Sequence, residues 1–369
     1  MSPEFWKGRT VLVTGHTGFK GSWLSLWLQM LGAEVVGLAL APESAPNMFE
    51  DANVGRGMQS LYRDIRDLGA VGEVVDEYKP EIVVHMAAQS LVRPSYSDPV
   101  ATYGTNVMGT VHVLEAIRNA EHVRAAVIVT SDKCYENREW VWGYRECDPM
   151  GGWDPYSSSK GCAELVTAAY RRSFFDAKAE RGVGPNVASA RAGNVIGGGD
   201  WSVDRLIPDL IRGALSDRST EIRNPGAVRP WQHVLEPLSG YLLLAERLWA
   251  GDEHAAEGWN FGPSEIDTKS VAWIADRICD GWGTGATWTT TSGGHPHEAS
   301  ALRLDSSKAR AYLRWSPKWT LEVGVDKTVE WYKAHRNGKD VYEVSMEQID
   351  SYMTNNQGSV VNRNGTVTG

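Results

Sequence analysis

The chain has 369 residues, which at roughly 150 residues per domain is enough for about two domains. A core of that size needs no disulfide or metal ion for stability. Its 37 basic and 46 acidic residues give a net charge of -9, which argues against a nucleic-acid partner. No apolar run reaches the ~18 residues of a membrane span, and the cysteines form no C-x-x-C pair. We therefore expect a cytoplasmic protein with reduced thiols and no membrane partner.

Strand-like and helix-like segments alternate through the first half of the chain. The predicted strands are Thr10–Thr14, Val35–Leu40, Ile82–Met86, Ala125–Ser131 and Val187–Arg191. The predicted helices are Gly18–Leu31, Gly69–Tyr78, Pro99–Asn119 and Tyr156–Phe175. Strict alternation favours right-handed βαβ units, so the fold class is α/β with a doubly wound parallel sheet.

The pattern changes after Gly193, where short helices alternate with connectors rich in proline and glycine. Apolar spacing predicts two of these helices, Leu206–Leu215 and Leu235–Trp249. We expect a first domain over residues 1–193, to which some later segments return, and a smaller mixed α/β substrate domain over residues 194–353. The polar residues 354–369 predict a flexible tail.

A glycine-rich turn joins the first predicted strand to the first predicted helix. Its residues are Gly15, His16, Thr17, Gly18, Phe19, Lys20 and Gly21. In that place glycines let backbone N–H groups approach a pyrophosphate at the N-terminus of a helix. The turn indicates a Rossmann-type dinucleotide site, and a merely close-packed strand-to-helix turn is the alternative.

Two further positions bear on the identity of the dinucleotide. A further short strand is expected between Leu40 and Asp64, as the third in chain order. Asp64 follows it and is a candidate acceptor for an adenine amino group, with a solvated loop acid as the alternative. The second strand ends in Leu38-Ala39-Leu40, which contains neither an acid nor an arginine. Because an acid there would hold the adenosine ribose, the spacing does not choose between NAD and NADP.

Tyr156 and Lys160 lie one turn apart on the same face of a predicted helix. A lysine ammonium near a phenol favours the phenolate and lowers the phenol pKa toward neutrality. The pair therefore predicts a base for a sugar hydroxyl, with Lys160 also placed to hold a ribose. A surface i,i+4 pair without chemistry is the alternative.

Together these features resemble the extended short-chain dehydrogenase/reductase family over residues 8–335. The resemblance is carried by Gly15, Gly18, Gly21, Asp64, Ile65, Ala87, Ala88, Asn106, Tyr156 and Lys160. Other segments look like its sugar-nucleotide 4,6-dehydratases: Thr130–Tyr135, Gly193–Trp201, Arg229–Pro237, His297-Glu298, Leu304–Lys308 and Trp331-Tyr332. Asp132 followed by Lys133 is similar to the CDP-glucose type, whereas the dTDP-glucose type carries Asp-Glu.

The resemblance implies NAD as the cofactor and the nucleotide sugar CDP-glucose as the substrate. The implied cofactor residues are Gly15, His16, Thr17, Gly18, Phe19, Lys20, Gly21, Asp64, Ile65, Ala87, Ala88, Gln89, Asn106, Tyr156 and Lys160. The implied substrate residues are Gln89, Ser131, Asn194, Arg205, Arg229 and His233. Arginine binds phosphate oxygens in pairs, although surface salt bridges remain the alternative for Arg205 and Arg229. We expect no metal, because His295, His297 and Glu298 in a proline-interrupted loop match no tetrahedral template.

The implied reaction is a loss of water without net oxidation, with hydride moving from C4 to C6 of the sugar through NAD. Tyr156 takes the C4 hydroxyl proton beside Ser131, Asp132 acts as the acid at C6, and Lys133 acts as the base at C5. Because a lysine is a weak base unless burial or a cation lowers its pKa, Lys133 could instead only neutralise Asp132.

Two other functions remain open at this point. One is another enzyme of the same fold, such as a 4,6-dehydratase of a different nucleotide sugar, a 4-epimerase or a reductase. The other is a non-catalytic dinucleotide sensor, against which the joint presence of Tyr156, Lys160 and Asp132 weighs. The resemblance also implies a homodimer, or a dimer of dimers, packed through the helices Pro99–Asn119 and Tyr156–Phe175.

Overall fold

The fold is described by a computed structural model that covers residues 2–176, 184–290 and 301–354. Its strands are β1 (Thr10–Thr14), β2 (Glu34–Ala39), β3 (Gln59–Tyr62), β4 (Ile82–His85), β5 (Ala125–Val129), β6 (Asn186–Ala192), β7 (Asn194–Ile196), β8 (Thr220–Ile222), β9 (Val228–His233), β10 (Gly258–Phe261), β11 (Thr268–Ser270) and β12 (Trp288–Thr290).

The helices alternate with these strands in the first half and dominate the second. They are α1 (Pro3–Trp6), α2 (Phe19–Met30), α3 (Met48–Asp51), α4 (Leu68–Tyr78), α5 (Val92–Ser97), α6 (Pro99–Tyr103), α7 (Gly109–Asn119), α8 (Pro155–Tyr170), α9 (Leu206–Leu215), α10 (Leu235–Trp249), α11 (Val271–Trp282), α12 (Leu321–Arg336) and α13 (Val341–Met353).

Seven parallel strands form the central sheet, in the order β10-β6-β5-β4-β1-β2-β3. The strands β1, β4 and β5 are buried almost throughout, because helices cover both faces of the sheet. The strand order reverses direction beside β1, as in doubly wound sheets whose ligands bind at the carboxyl ends of the strands. The predicted fold class is therefore confirmed.

The long predicted helix Pro99–Asn119 has an internal irregularity. It consists of α6, a π-helical turn at Gly104–Met108, and α7. Such turns occur frequently at functional sites, because the extra residue redirects a side chain. Here the turn carries Asn106, which is buried.

The hydrophobic core lies in two layers on opposite faces of the central sheet. One layer contains Val71 of α4 and Leu114 of α7. The other is larger and contains Trp23 and Trp27 of α2 and Trp331 of α12, all fully buried. Many of the tryptophans thus fill the core.

The second half of the chain builds a smaller mixed region and also returns to the large sheet. The strands β7, β9 and β11 form a three-stranded sheet, and β8 pairs with β12. The strand β10 extends the central sheet beside β6, and α10 packs against β5 and β6. The four cysteines are free thiols, and no helix of the described ranges is long and apolar enough to cross a membrane.

Candidate active site

The glycine turn between β1 and α2 is closed by contacts that leave no room for side chains. Gly15 has a φ of 77°, and a Cβ there would lie 2.7 Å from the backbone nitrogen of Ala87. A Cβ at Gly21 would lie 2.0 Å from the carbonyl oxygen of Gly15. These positions therefore require glycine.

The same turn fits the pyrophosphate of a dinucleotide. Gly18 is exposed and caps the N-terminus of α2 without any side-chain hydrogen bond. Among the described residues, a Cβ at Gly18 would meet only the carbonyl oxygen of Gly15, at 3.4 Å. The space beside Gly18 is therefore open to a ligand. Backbone N–H groups at such a helix end attract anions, and the residues present fit the expected cofactor.

The side chains of the turn have different surroundings from one another. His16 is buried beside β2, and its Nε2 lies 2.7 Å from the Ser60 hydroxyl of β3. Burial lowers the pKa of His16 to about 4, so the ring is neutral and serves as packing. The Thr17 hydroxyl donates to the Leu40 carbonyl at 2.9 Å. The turn is thus tied to the ends of β2 and β3.

Replacing Gly21 by alanine is expected to weaken NAD binding by at least about tenfold, because the added Cβ forces the turn open. Such overpacking also costs about 1–3 kcal/mol of stability. The matched control is Gly72→Ala in α4, where a Cβ meets nothing within 4 Å. This control is expected to gain about 0.5–1 kcal/mol and to bind NAD normally. Titration calorimetry and thermal unfolding measure both; equal NAD affinity in the two variants would contradict the assignment.

The candidate adenine residues follow β3. The Asp64 carboxylate accepts hydrogen bonds from the Arg66 guanidinium at 2.6 and 2.9 Å. The Arg66 hydrogen bonds, opposed by burial, lower the Asp64 pKa, so the carboxylate is ionised and able to accept from an adenine amino group. Ile65 is buried and packs against Gly109 at the start of α7, so its side chain belongs to the core.

The segment after β4 is held by Asn106. The Gln89 backbone N–H donates to the Asn106 side chain at 2.8 Å, and the Asn106 amide donates to the Gln89 carbonyl at 2.9 Å and the Ser159 hydroxyl at 2.8 Å. Asn106 thus positions Ala87, Ala88 and Gln89 relative to α8. The Gln89 side chain itself is engaged locally, with its amide donating to Thr102 at 3.1 Å.

A buried acid follows β5. Asp132 is only 2% exposed, and its Oδ1 accepts from the Ser131 hydroxyl at 3.0 Å. Its Oδ2 is buried without a hydrogen-bond partner in the described residues. Burial raises the Asp132 pKa, although Lys133 and Ser131 oppose this shift. A carboxyl whose proton is favoured by burial and whose second oxygen is unpartnered is suited to donate a proton to a ligand.

The helix α8 brings Tyr156 and Lys160 to the same place. It begins with Asp154 as its N-cap, whose carboxylate accepts from the Ser157 N–H and hydroxyl at 2.9 and 2.6 Å. Tyr156 and Lys160 are both buried. Burial and, to a smaller extent, the nearby charge of Lys20 lower the Lys160 pKa to about 8.

The expected lowering of the Tyr156 pKa is wrong for this structure. Burial raises that pKa to about 12, although the Ser131 hydroxyl and the Arg205 guanidinium lower it. The phenol is therefore protonated in the unliganded chain, and deprotonation depends on the positive charges around it.

Lys20 is a site residue whose side-chain position the sequence does not predict. Its expected role rests on the glycine turn, but its ammonium is near Asp132, Lys160 and Arg205. Burial and the neighbouring Arg205 lower its pKa to about 8. The signal in the sequence is a lysine inside the glycine turn, just before Gly21.

The candidate substrate residues of the second region lie in different settings. Arg205 donates to Asp200 at 2.9 Å and to the Ser90 hydroxyl at 3.2 Å, so it spans from the loop after β7 to the segment after β4. Arg229 of β9 is near enough to Asp132 to lower its pKa. Asn194 begins β7, paired with Trp231 of β9. Arg205 and Arg229 therefore lie near the candidate catalytic groups Tyr156 and Asp132.

His233 does not belong with them. Its ring is 2% exposed and packs against Trp23 and Trp319, with ring centroids 6.0 and 5.0 Å away. Burial lowers its pKa to about 3, so it is a neutral core side chain. The path of β9 directs this side chain toward Trp23 of α2 and toward Trp319, so its surroundings do not support the predicted substrate contact.

A large cavity opens away from the crevice at the carboxyl ends of the strands. It has a volume of about 1530 Å³ and is lined by residues near the amino ends of β6 and β10, among them Asn186 and Gly258. Because the candidate catalytic side chains lie at the opposite edge of the sheet, this cavity is not the catalytic crevice. The described ranges contain no cluster of metal ligands, and His295, His297 and Glu298 lie outside them.

Comparison with known proteins identifies the family. Residues 12–328 match the family model described as GDP-mannose 4,6 dehydratase. The chain belongs to this dehydratase family. It is 53% identical to the CDP-glucose 4,6-dehydratase of Salmonella typhimurium over 351 residues, which cover 95% of this chain and 98% of that protein. The predicted membership among sugar-nucleotide 4,6-dehydratases is therefore confirmed.

Solved structures agree on the fold of this dehydratase. The dTDP-glucose 4,6-dehydratase of Bacillus anthracis, in complex with NAD, has a TM-score of 0.74 at 24% identity and covers 91% of this chain and 100% of its own. The UDP-glucose 4-epimerase of Thermotoga maritima has a TM-score of 0.74 at 23% identity, with 89% and 99% covered. Both likenesses concern the fold, and a fold alone does not determine the reaction.

Proposed function

We propose that this chain is an NAD-dependent CDP-glucose 4,6-dehydratase, which converts CDP-glucose to CDP-4-keto-6-deoxyglucose and water. The observation that carries the proposal is the meeting of two groups at one edge of the sheet. Asp132, with a buried and unpartnered Oδ2, lies within electrostatic reach of Tyr156. Tyr156 provides a base for the C4 hydroxyl and Asp132 an acid for the C6 hydroxyl, whereas a 4-epimerase needs no acid for a leaving hydroxyl.

The glycine turn would hold NAD, which would supply the chemistry of a reversible hydride acceptor for C4 and C6 of the sugar. Tyr156 removes the C4 hydroxyl proton, and Ser131, which lowers the Tyr156 pKa, places the C4 oxygen. The phenolate form of Tyr156 accepts this proton and becomes the phenol, and the Arg205 guanidinium stabilises that phenolate beforehand. Lys160 is one turn along α8 and, with the positive charge of Lys20 beside it, adds to the positive potential of this region.

Oxidation at C4 acidifies the C5 hydrogen, and the chain then removes it. Lys133 follows Asp132 in a 3-10 turn and is the base in this proposal. Asp132 donates its proton to the C6 hydroxyl, which leaves as water. Burial favours the protonated acid, and the neighbouring Lys133 stabilises the carboxylate that remains.

The second region would bind the diphosphate. Arg205 and Arg229 approach the catalytic groups from different elements, as their effects on Tyr156 and Asp132 show. Two guanidinium groups neutralise a diphosphate and fix it by paired hydrogen bonds. Asn194 contributes a polar side chain at the start of β7.

A homodimer is part of the proposal, and two neighbouring helices support it. On the α6 and α7 run, Val100 is 82% and Met108 is 48% exposed. On α8 and the turn after it, Leu165 is 61% and Phe174 is 40% exposed. Adjacent exposed apolar side chains favour burial against a second copy. The free thiols support a cytoplasmic location.

Incubation of the purified chain with NAD and CDP-, dTDP- or UDP-glucose tests the proposal. We expect the ultraviolet absorbance of a 4-keto sugar, and a product lighter by one water, with CDP-glucose in preference to the others. A product of unchanged mass would favour an epimerase. Preference for another nucleotide would retain the dehydratase and reject CDP-glucose. Tight NAD binding with no reaction would favour the sensor.

A further inference from the structure

A buried ion pair joins the catalytic helix to the central sheet. Glu164 lies on α8 one turn beyond Lys160, and Arg191 lies on β6. The Arg191 Nη2 donates to the Glu164 Oε2 at 2.7 Å, and both side chains are at most 5% exposed. Glu164 also accepts hydrogen bonds from the hydroxyls of Ser189 and Thr130. All of these contacts lie behind the catalytic groups.

The network continues from Arg191 to the other side of Ser131–Lys133, which we call the catalytic segment. The Arg191 Nη1 donates to the Tyr135 hydroxyl oxygen at 2.6 Å, and that hydroxyl donates to the Asn260 Oδ1 at 2.7 Å. The Asn260 amide in turn donates to the carbonyls of Tyr144 and Asp305. Tyr135 and Asn260 are buried. One guanidinium thus connects α8, β6 and β10.

These contacts hold both ends of the catalytic segment against the catalytic helix. Thr130 immediately precedes Ser131, and Tyr135 follows Lys133 by two residues. A Cβ at Gly161, next to Lys160, would lie 2.8 Å from the Gly151 carbonyl and 3.2 Å from the Cys134 carbonyl. The helix therefore lies directly on the segment, and the network fixes how one is placed along the other.

The pair is ionised on both sides. Burial alone would raise the Glu164 pKa, but Arg191 and the three hydrogen bonds outweigh burial and lower it. Burial likewise opposes the charge of Arg191, but Glu164 reverses this effect and raises the Arg191 pKa. A buried ion pair with several further hydrogen bonds fixes a geometry more than it adds stability.

We propose that Glu164, Arg191 and Tyr135 form a positioning unit that keeps Asp132 and Lys133 in register with Tyr156. The inference rests on the proposed function, in which Tyr156 serves the removal of hydride and the other two side chains serve the loss of water. Because the unit holds Asp132 and Lys133 relative to Tyr156, weakening it slows the loss of water more than the removal of hydride. It touches neither substrate nor cofactor.

Tyr135→Phe tests this inference, because it removes one hydroxyl and keeps the ring. Misplacement by 1 Å costs about 100-fold in rate, so we expect kcat to fall by about 10- to 100-fold with KM within about threefold. The deuterium isotope effect on kcat with C5-labelled CDP-glucose should rise, and reduced dinucleotide, read at 340 nm, should accumulate during turnover. Arg191→Lys keeps the positive charge but loses the paired donors of the guanidinium, so it should show the same changes as Tyr135→Phe. The double variant should have a kcat no lower than that of either single variant.

The matched control is Tyr352→Phe in α13. Its hydroxyl is also buried and donates to a buried carboxylate, the Glu236 Oε2, at 2.6 Å. We expect it to lower the melting temperature comparably and to leave the isotope effect unchanged. If Tyr135→Phe lowers kcat without a larger isotope effect or accumulated reduced dinucleotide, the positioning role is wrong. If the wild-type chain forms no 4-keto sugar, the proposed function is wrong instead.

Discussion

Tyr156→Phe is expected to lower turnover of CDP-glucose by about 1000-fold, because general base catalysis contributes about 100- to 10,000-fold and the phenol is the group beside Ser131 and Arg205. Without the hydroxyl, the C4 proton has no acceptor in the first step. The dinucleotide should still bind, since the substitution removes only one hydroxyl and leaves the glycine turn and Lys160 in place. Steady-state kinetics and NAD titration measure the two effects separately.

The matched control is Tyr170→Phe on the same helix, whose hydroxyl donates to Glu115 at 3.3 Å, away from the catalytic groups. It should keep turnover within about twofold, since substitutions outside the site change stability rather than chemistry. Equal turnover for Tyr156→Phe and Tyr170→Phe would remove Tyr156 from the mechanism.

Asp132→Asn is expected to stop water loss while hydride removal continues. The amide keeps the shape of the side chain but has no acidic proton for the C6 hydroxyl, so overall turnover should fall by at least about 100-fold. Adding CDP-glucose to the variant with NAD should then raise the absorbance at 340 nm and hold it there. In the wild-type chain the same signal should remain small, because hydride returns within the turnover.

Two substitutions at Lys133 separate its possible roles. Lys133→Met is expected to abolish exchange of the C5 hydrogen with solvent, because it removes the base. Lys133→Arg restores a positive charge beside Asp132 but supplies no base at neutral pH, because arginine stays protonated. An inactive Lys133→Arg is expected. Recovery of near-normal turnover in that variant would show that Lys133 only neutralises Asp132.

The central sheet could be predicted because its information is local. Each of the strands β1, β4 and β5 is a short apolar run, and the glycines Gly15, Gly18 and Gly21 mark the connection to α2. In contrast, β10 joins the sheet from far along the chain, beside β6. The residue pattern of a short strand such as β10 does not indicate which other strand it pairs with.

The positions of site residues could be predicted where a sequence motif fixes the backbone. The pKa values and directions of the side chains could not, because they depend on the surroundings of each side chain. The segment Ser131–Lys133 and the helix with Tyr156 come together as the resemblance implies. The direction of the Tyr156 pKa depends on burial, which spacing does not show. His233 is directed into the core by the path of β9, and Lys20 reaches the catalytic groups across the turn.

The long-range pairs were the least accessible to sequence reasoning. Arg205 pairs with Asp200 and reaches Ser90 across the crevice. Glu164 shows one local signal, its position one turn after Lys160 on the helix of Tyr156. Its partner Arg191 lies on another element 27 residues away, so only the structure connects them.

The fate of the hydrogen on C4 tests the central claim most directly. CDP-glucose carrying deuterium at C4 is converted by the wild-type chain with NAD in ordinary water, and the product is analysed by mass spectrometry and NMR. The account predicts that the deuterium appears in the new methyl group at C6, with one solvent hydrogen entering at C5. Deuterium that remains at C4, or that is lost to the solvent, would contradict the internal return of the hydride.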